Sequence, residues 1–148
     1  MIKRILVAID GSEQAWRALE LGCDFAKQFD AKLVVFHAVT DPALPAELAR
    51  YAEAEHLGGP SNFLFYSMIV DGLSEDARGR AAQQGIEDVV WRAQKGDPAD
   101  TILSAARSEE ADLIVMGRRG LSPVKAIFFG SVSQKVVQMA ARPCVTTP

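Results

Sequence analysis

A chain of 148 residues that is 49% hydrophobic, 24% charged and 7% aromatic has the size and composition of one globular domain, which excludes disordered, fibrous and disulfide-stapled classes. Its net charge of −3 supplies no broad basic surface, so no DNA or RNA partner is expected. Cys23 and Cys144 lack metal-type spacing, the apolar run after Met1-Ile2-Lys3-Arg4 is too short for a signal peptide core, and no stretch approaches a membrane span, so the expected compartment is the cytoplasm.

Ile5-Leu6-Val7-Ala8-Ile9 is an unbroken apolar run ended by Asp10-Gly11-Ser12, the pattern of a strand buried on both faces of a parallel sheet. Ser12 is a good N-cap, and Trp16, Leu19, Cys23 and Ala26 follow at helical spacing, which predicts a helix over 13–28. A second buried strand spans 32–39, and a helical crossover between two such strands implies parallel pairing. From 40 to about 62, Pro42, Pro45 and Gly58-Gly59-Pro60 bracket an Ala- and Glu-rich stretch, read as an insertion reaching about residue 66 with room for a short helix.

A helix follows over 64–84, with Met68, Ile69, Gly72 and Ala77 expected on one face. Strand three is placed at 86–93. Gly96-Asp97-Pro98 then supplies a turn, an N-cap and a proline at the first helical position, ahead of a helix through Ile102, Leu103 and Ala106. Strand four is Asp112 to Met116. Val132, Val136, Met139 and Ala140 mark a last helix, Arg142-Pro143 stops it, and residues 144–147 form a short final strand. Five strands alternating with four helices predict a single-domain, doubly wound, five-stranded parallel α/β sheet, Rossmann-like in class.

The chemistry concentrates after strand four. Gly117-Arg118-Arg119-Gly120, nine residues, and Gly130-Ser131-Val132-Ser133 at a helix start form a glycine-rich loop leading to backbone N–H groups, where the helix dipole favours an anion such as a triphosphate. Gly117 and Gly120 are expected to take positive φ and admit close backbone approach. The spacing is neither the Walker loop nor the dinucleotide fingerprint. Asp10 serves either a ligand or only the turn before the helix. At least one of Arg118 and Arg119 is expected to face the anion, whereas His37 reads as a core or strand-end residue and His56 as exposed.

Gly117-x-x-Gly120, nine residues and Gly130-Ser131 resembles the nucleotide motif of the ATP-binding branch of the universal stress protein family. Val7 to Ser12, His37-Ala38-Val39, Gly96-Asp97-Pro98 and Asp112 to Gly117 are similar to that family's other landmarks, so the likeness runs over nearly all of residues 1–148 except 40–66. The resemblance implies a sheet order of 3-2-1-4-5. It implies that backbone at Ala8 and Ala38 frames adenine with Met116 beside it, and that Asp10 lies near the ribose or a bound metal. Gly117, Arg119 and Gly120 would wrap the phosphates from one side, and Gly130, Ser131, Val132 and Ser133 would meet them from the other. The ligand implied is ATP, or ADP or AMP, with Mg²⁺ or Mn²⁺ shared between Asp10 and phosphate oxygens.

The resemblance also implies a homodimer through the last strand, although Cys144-Val145-Thr146-Thr147-Pro148 is shorter than usual and ends in proline. No acid, base or nucleophile constellation is recognisable, so no catalytic residue is assigned. The expected function is nucleotide sensing in the stress response through an unidentified protein partner. The alternative is a slow ATPase or a phosphoryl or nucleotidyl transferase built on Asp10 and a divalent metal.

Overall fold

The computed structural model describes residues 1–40, 60–119 and 130–148, the side chains of 60–65 aside. In chain order the elements are β1 (Arg4–Ile9), α1 (Glu13–Phe29), β2 (Lys32–Val39), α2 (Pro60–Gln83), β3 (Val89–Lys95), α3 (Pro98–Ser108), β4 (Leu113–Gly117), α4 (Ser131–Met139) and β5 (Cys144–Thr147). The strands form one five-stranded sheet in the order β3-β2-β1-β4-β5. Every pairing is parallel, with Val7 opposite Val35 on one side and Val115 on the other. The predicted architecture and strand order are those observed.

Burial on both faces explains the unbroken apolar strands. Ile5, Val7 and Ile9 point to one side of the sheet, where they pack with Leu19 and Cys23 of α1 and with Ala77 and Ala81 of α2. Leu6 and Ala8 point to the other side and meet Ile102, Leu103 and Ala106 of α3 and Val136 of α4. Successive strand residues alternate between two separate cores, so neither position tolerates a polar side chain. Gly22 lets α1 lie close on this surface, because a Cβ there would stand 2.4 Å from Val7 Cγ2.

Local chemistry sets the helix boundaries. Ser12 Oγ accepts the Ala15 N–H at 3.2 Å and caps α1, which ends where Asp30 turns left-handed at φ 52°. Asp97 caps α3 by accepting from the Asp100 N–H at 3.0 Å, with Pro98 in the first turn, as expected. α2 is fastened to α1 by the Arg80 guanidinium, 4.5 Å from the centre of the Trp16 ring.

Two expectations are corrected. The inward face of α2 is carried by buried Ala77 and Ala81, while Met68 and Ile69 are exposed at 72% and 42%. Among its described side chains, half-buried Leu73 shares the stripe of Ala77 and Ala81 at i, i+4 and i+8, whereas Met68 and Ile69 lie off it. β3 begins later and runs further than predicted, because Ile86 N–H closes the end of α2 on Ala81 O at 2.9 Å, whereas polar Gln94 and Lys95 still pair with Ala38 and Val39. Residues 41–59, most of the expected insertion, lie outside the described residues. Among the described residues, no helix is long and apolar enough to cross a membrane.

Candidate functional site

β1 and β4 are neighbours, and the crossover leaving β1 runs to β2 on one side while that leaving β4 runs to β5 on the other, so the two part to opposite halves of the sheet and open a crevice beyond the strand C-termini. A cavity of about 330 Å³ lies there, a volume suited to a small ligand. Strand ends contribute Ala8, Ala38, Met116 and Gly117 to its wall, and α3 contributes Pro98 and Ile102. The start of α4 contributes Gly130, Ser131, Val132 and Ser133, with Arg119 reaching the same space. The expected site residues are therefore gathered around one cavity, except Gly120, which lies outside the described residues.

Asp10 both forms the turn and borders the cavity. Its Oδ1 accepts the Ser12 N–H at 2.9 Å, and Gly11 follows at φ +84°, a conformation that favours glycine. The turn fixes the carboxylate at the C-terminal end of β1.

α4 differs from the two capped helices. Its N-cap is Gly130, which has no side chain to bond the first turn and whose own N–H donates to Arg118 O at 2.8 Å. Among the described residues, the first-turn N–H groups of Ser131, Val132 and Ser133 meet no side-chain cap and no backbone acceptor, and all three residues line the cavity. With the helix dipole added, this wall is suited to an anion. Gly130 itself is extended at φ −71°, and a Cβ there would come no nearer than 3.4 Å to Arg118 O, an ordinary contact, so neither backbone conformation nor space demands the glycine.

Gly117 corrects the expected reason for a glycine. It takes no positive φ. A Cβ there would lie 2.8 Å from Arg119 O and 2.9 Å from Gln14 Cβ, so the missing side chain is what allows the loop and α1 to close over the end of β4. The Ser133 hydroxyl donates to Arg118 O at 2.6 Å and also lies 3.0 Å from Gly130 O, so its proton is used within the loop.

Sequence reasoning missed Ile9, Ala15, Thr40, Pro98 and Ile102 as wall residues, and His37 is a strand-end residue that also borders the cavity. His37 Nδ1 lies 2.9 Å from Ile9 O, which as a hydrogen bond makes Nδ1 the protonated nitrogen. The signal for Pro98 and Ile102 was available, since a helix starting from the C-terminal edge of β3 must pass its first turn over the same crevice. Lys135 Nζ joins α4 to the start of α3 through Asp97 Oδ1 at 3.2 Å and Asp100 Oδ1 at 2.9 Å. Hydrogen bonding to Asp100 and then Asp97 raises the lysine's pKa. Among the described residues, no three His, Cys, Asp or Glu side chains cluster as a metal site.

The family model described as "Universal stress protein family" matches residues 1–148. The chain belongs to the universal stress protein family. The "Universal stress protein in QAH/OAS sulfhydrylase 3'region" of Thermus aquaticus is 38% identical over 149 residues, spanning 97% of this chain and 96% of the relative. A universal stress protein solved in complex with cAMP superposes with a TM-score of 0.71 at 24% identity, covering 99% of this chain and 97% of that one. The universal stress protein of Archaeoglobus fulgidus in complex with dAMP gives a TM-score of 0.63 at 20% identity, covering 99% and 98%. At these identities the two structures show a shared fold.

Proposed function

We propose that this universal stress protein is an ATP-binding regulator of the cytoplasmic stress response, built as one nucleotide-binding domain over residues 1–148 and acting through protein interactions. The observation that carries the reading is the uncapped start of α4 facing a cavity at the sheet's switch point, with Arg119 on the same wall. The fold relatives solved with cAMP and dAMP support an adenine ligand.

In this reading adenine lies between backbone at Ala8 and Ala38, with Met116 beside it. Asp10 serves the ribose or a metal. Gly117, Arg119 and Gly120 meet the phosphates from the loop, and Gly130 to Ser133 meet them from the helix, so ATP is preferred over ADP or AMP.

A divalent cation fits the residues present only jointly with the nucleotide. Asp10 supplies one hard carboxylate held by the Ser12 N–H, and one carboxylate plus phosphate oxygens and water is the donor set that Mg²⁺ or Mn²⁺ takes. The cation would neutralise phosphate charge. Two copies pair through the open outer edge of β5, the terminal strand of the sheet.

Acid extraction of the purified protein, followed by equilibrium dialysis against ATP and Mg²⁺, tests the reading. Release or uptake of an adenine nucleotide at about one per chain is expected. Absence of ATP retention at millimolar concentration would sink it.

A further inference from the structure

We infer that the Ser133 hydroxyl is a positioning group and not a phosphate ligand: it holds the Arg118 carbonyl so that the first-turn N–H groups of α4, that of Ser133 included, stay open to an anion. The inference rests on the nucleotide reading above and deepens it.

A serine hydroxyl has one proton to donate. In Ser133 that proton faces Arg118 O at 2.6 Å, with Gly130 O a longer alternative at 3.0 Å, and the residue is only 4% exposed. Oγ then has lone pairs to offer, which repel phosphate oxygens. Only the Ser133 backbone N–H remains as a donor for the anion.

The Arg118 carbonyl is the consequential partner. It has two lone pairs, and two donors meet them: the Gly130 N–H at 2.8 Å and the Ser133 hydroxyl. The Arg118 N–H donates to Thr147 O at 2.6 Å, so the backbone on either side of this residue is tied to the end of β5 and to the start of α4. A carbonyl is the natural competitor for open N–H groups at a helix start, because it carries the same partial charge as the expected ligand. By occupying one lone pair, Ser133 keeps that competitor in place.

A Cβ on Gly130 would stand at ordinary contact distance, 3.4 Å from Arg118 O and 3.7 Å from Ser133 Oγ, so a side chain at the cap would border the three groups without displacing them.

The test compares Ser133→Ala, Ser133→Thr and the native protein by ATP titration, adenosine titration and amide hydrogen exchange at Gly130 in the nucleotide-free state. Ser133→Ala is expected to weaken ATP binding about tenfold, the worth of one well-placed hydrogen bond. Adenosine binding should stay unchanged and exchange at Gly130 should quicken, because the carbonyl that Gly130 bonds has lost its second partner. Ser133→Thr should match the native protein in all three. Weakened ATP binding with Gly130 exchange unaltered would make the hydroxyl a direct phosphate ligand and overturn the inference. Equal losses for ATP and adenosine would reduce Ser133 to general support, and no change in either would remove the role. If the native protein bound neither ligand, the nucleotide reading itself would fail, and this inference with it.

Discussion

Adding one methyl group at Gly117 should disturb stability and ligand binding together. In Gly117→Ala the new Cβ meets Arg119 O at 2.8 Å, Gln14 Cβ at 2.9 Å and Gln14 C at 3.1 Å. Ordinary contacts between such atoms lie near 3.5–4.0 Å, so the overlap reaches roughly 0.7 Å. None of the three atoms is the tip of a flexible side chain. Relief requires either the loop after β4 or the first turn of α1 to move. Overpacking of this kind costs about 1–3 kcal/mol, offset by about 0.4–1 kcal/mol because alanine has fewer unfolded conformations to lose. The net loss of about 1–2 kcal/mol should lower the melting temperature by roughly 5 °C.

Urea denaturation with and without ATP measures both effects. The variant should unfold at lower urea without ligand, and ATP should restore less stability than it gives the native protein. The matched control is Gly79→Ala, an exposed position on α2 with nothing within 4 Å of the added carbon. There helix propensity alone should raise stability by about 0.5–1 kcal/mol. Equal stability and ATP response for Gly117→Ala and native protein would refute the close-packing account of the loop.

Asp97 predicts a pH dependence. The Asp100 N–H, followed by the Lys135 ammonium, holds its carboxyl below the ordinary value. A carboxyl depressed in the folded state contributes stability above its unfolded pKa and loses it as pH falls through the folded pKa. Acid titration of α3 by circular dichroism should therefore show a loss below about pH 4 that Asp97→Asn flattens. Burial pushes the Cys23 thiol up to about 11, and the residue has no exposed surface. It should resist alkylation at pH 8 until the protein is unfolded, whereas half-buried Cys144, also shifted up by burial, should react slowly in the native state. ATP incubated with the protein should be recovered intact by chromatography; hydrolysis that Asp10→Ala abolishes would instead favour an enzyme.

The strands of the inner sheet were legible because burial on two faces leaves only apolar residues at Ile5 to Ile9, Leu33 to Phe36 and Leu113 to Met116. The edge strand β3 was less so. Its pairing with β2 continues through Arg92 to Lys95 although one side faces solvent, and apolarity cannot report a boundary set by backbone bonds. α2 misled for a related reason, since its fully buried residues are Ala77 and Ala81 while Met68 and Ile69 point outward.

The site was legible as a set of residues but not as a mechanism of assembly. Glycine at 117 announced a close approach, yet only the fold shows that Gln14 and Arg119 are what approaches. A serine at 133 announced a hydroxyl, and nothing in the spacing says that a carbonyl fifteen positions earlier takes its proton. Pro98 and Ile102 were read as helix start and core, and become cavity wall because β3 and β1 end at the same edge of the sheet.

The central claim, that the bare start of α4 receives phosphate, is tested most directly by following thermal stability against ATP with Mg²⁺ in the native protein and in Gly130→Asp. Aspartate at the cap supplies the missing first-turn acceptor, so the variant should be as stable as the native protein without ligand, or more so by a few tenths of a kcal/mol. At about 100 times the dissociation constant, ATP should stabilise the native protein by about 2.7 kcal/mol, a rise of roughly 5–10 °C, and the carboxylate should largely abolish that rise. An equal rise in both proteins, or none in the native one, would contradict the account.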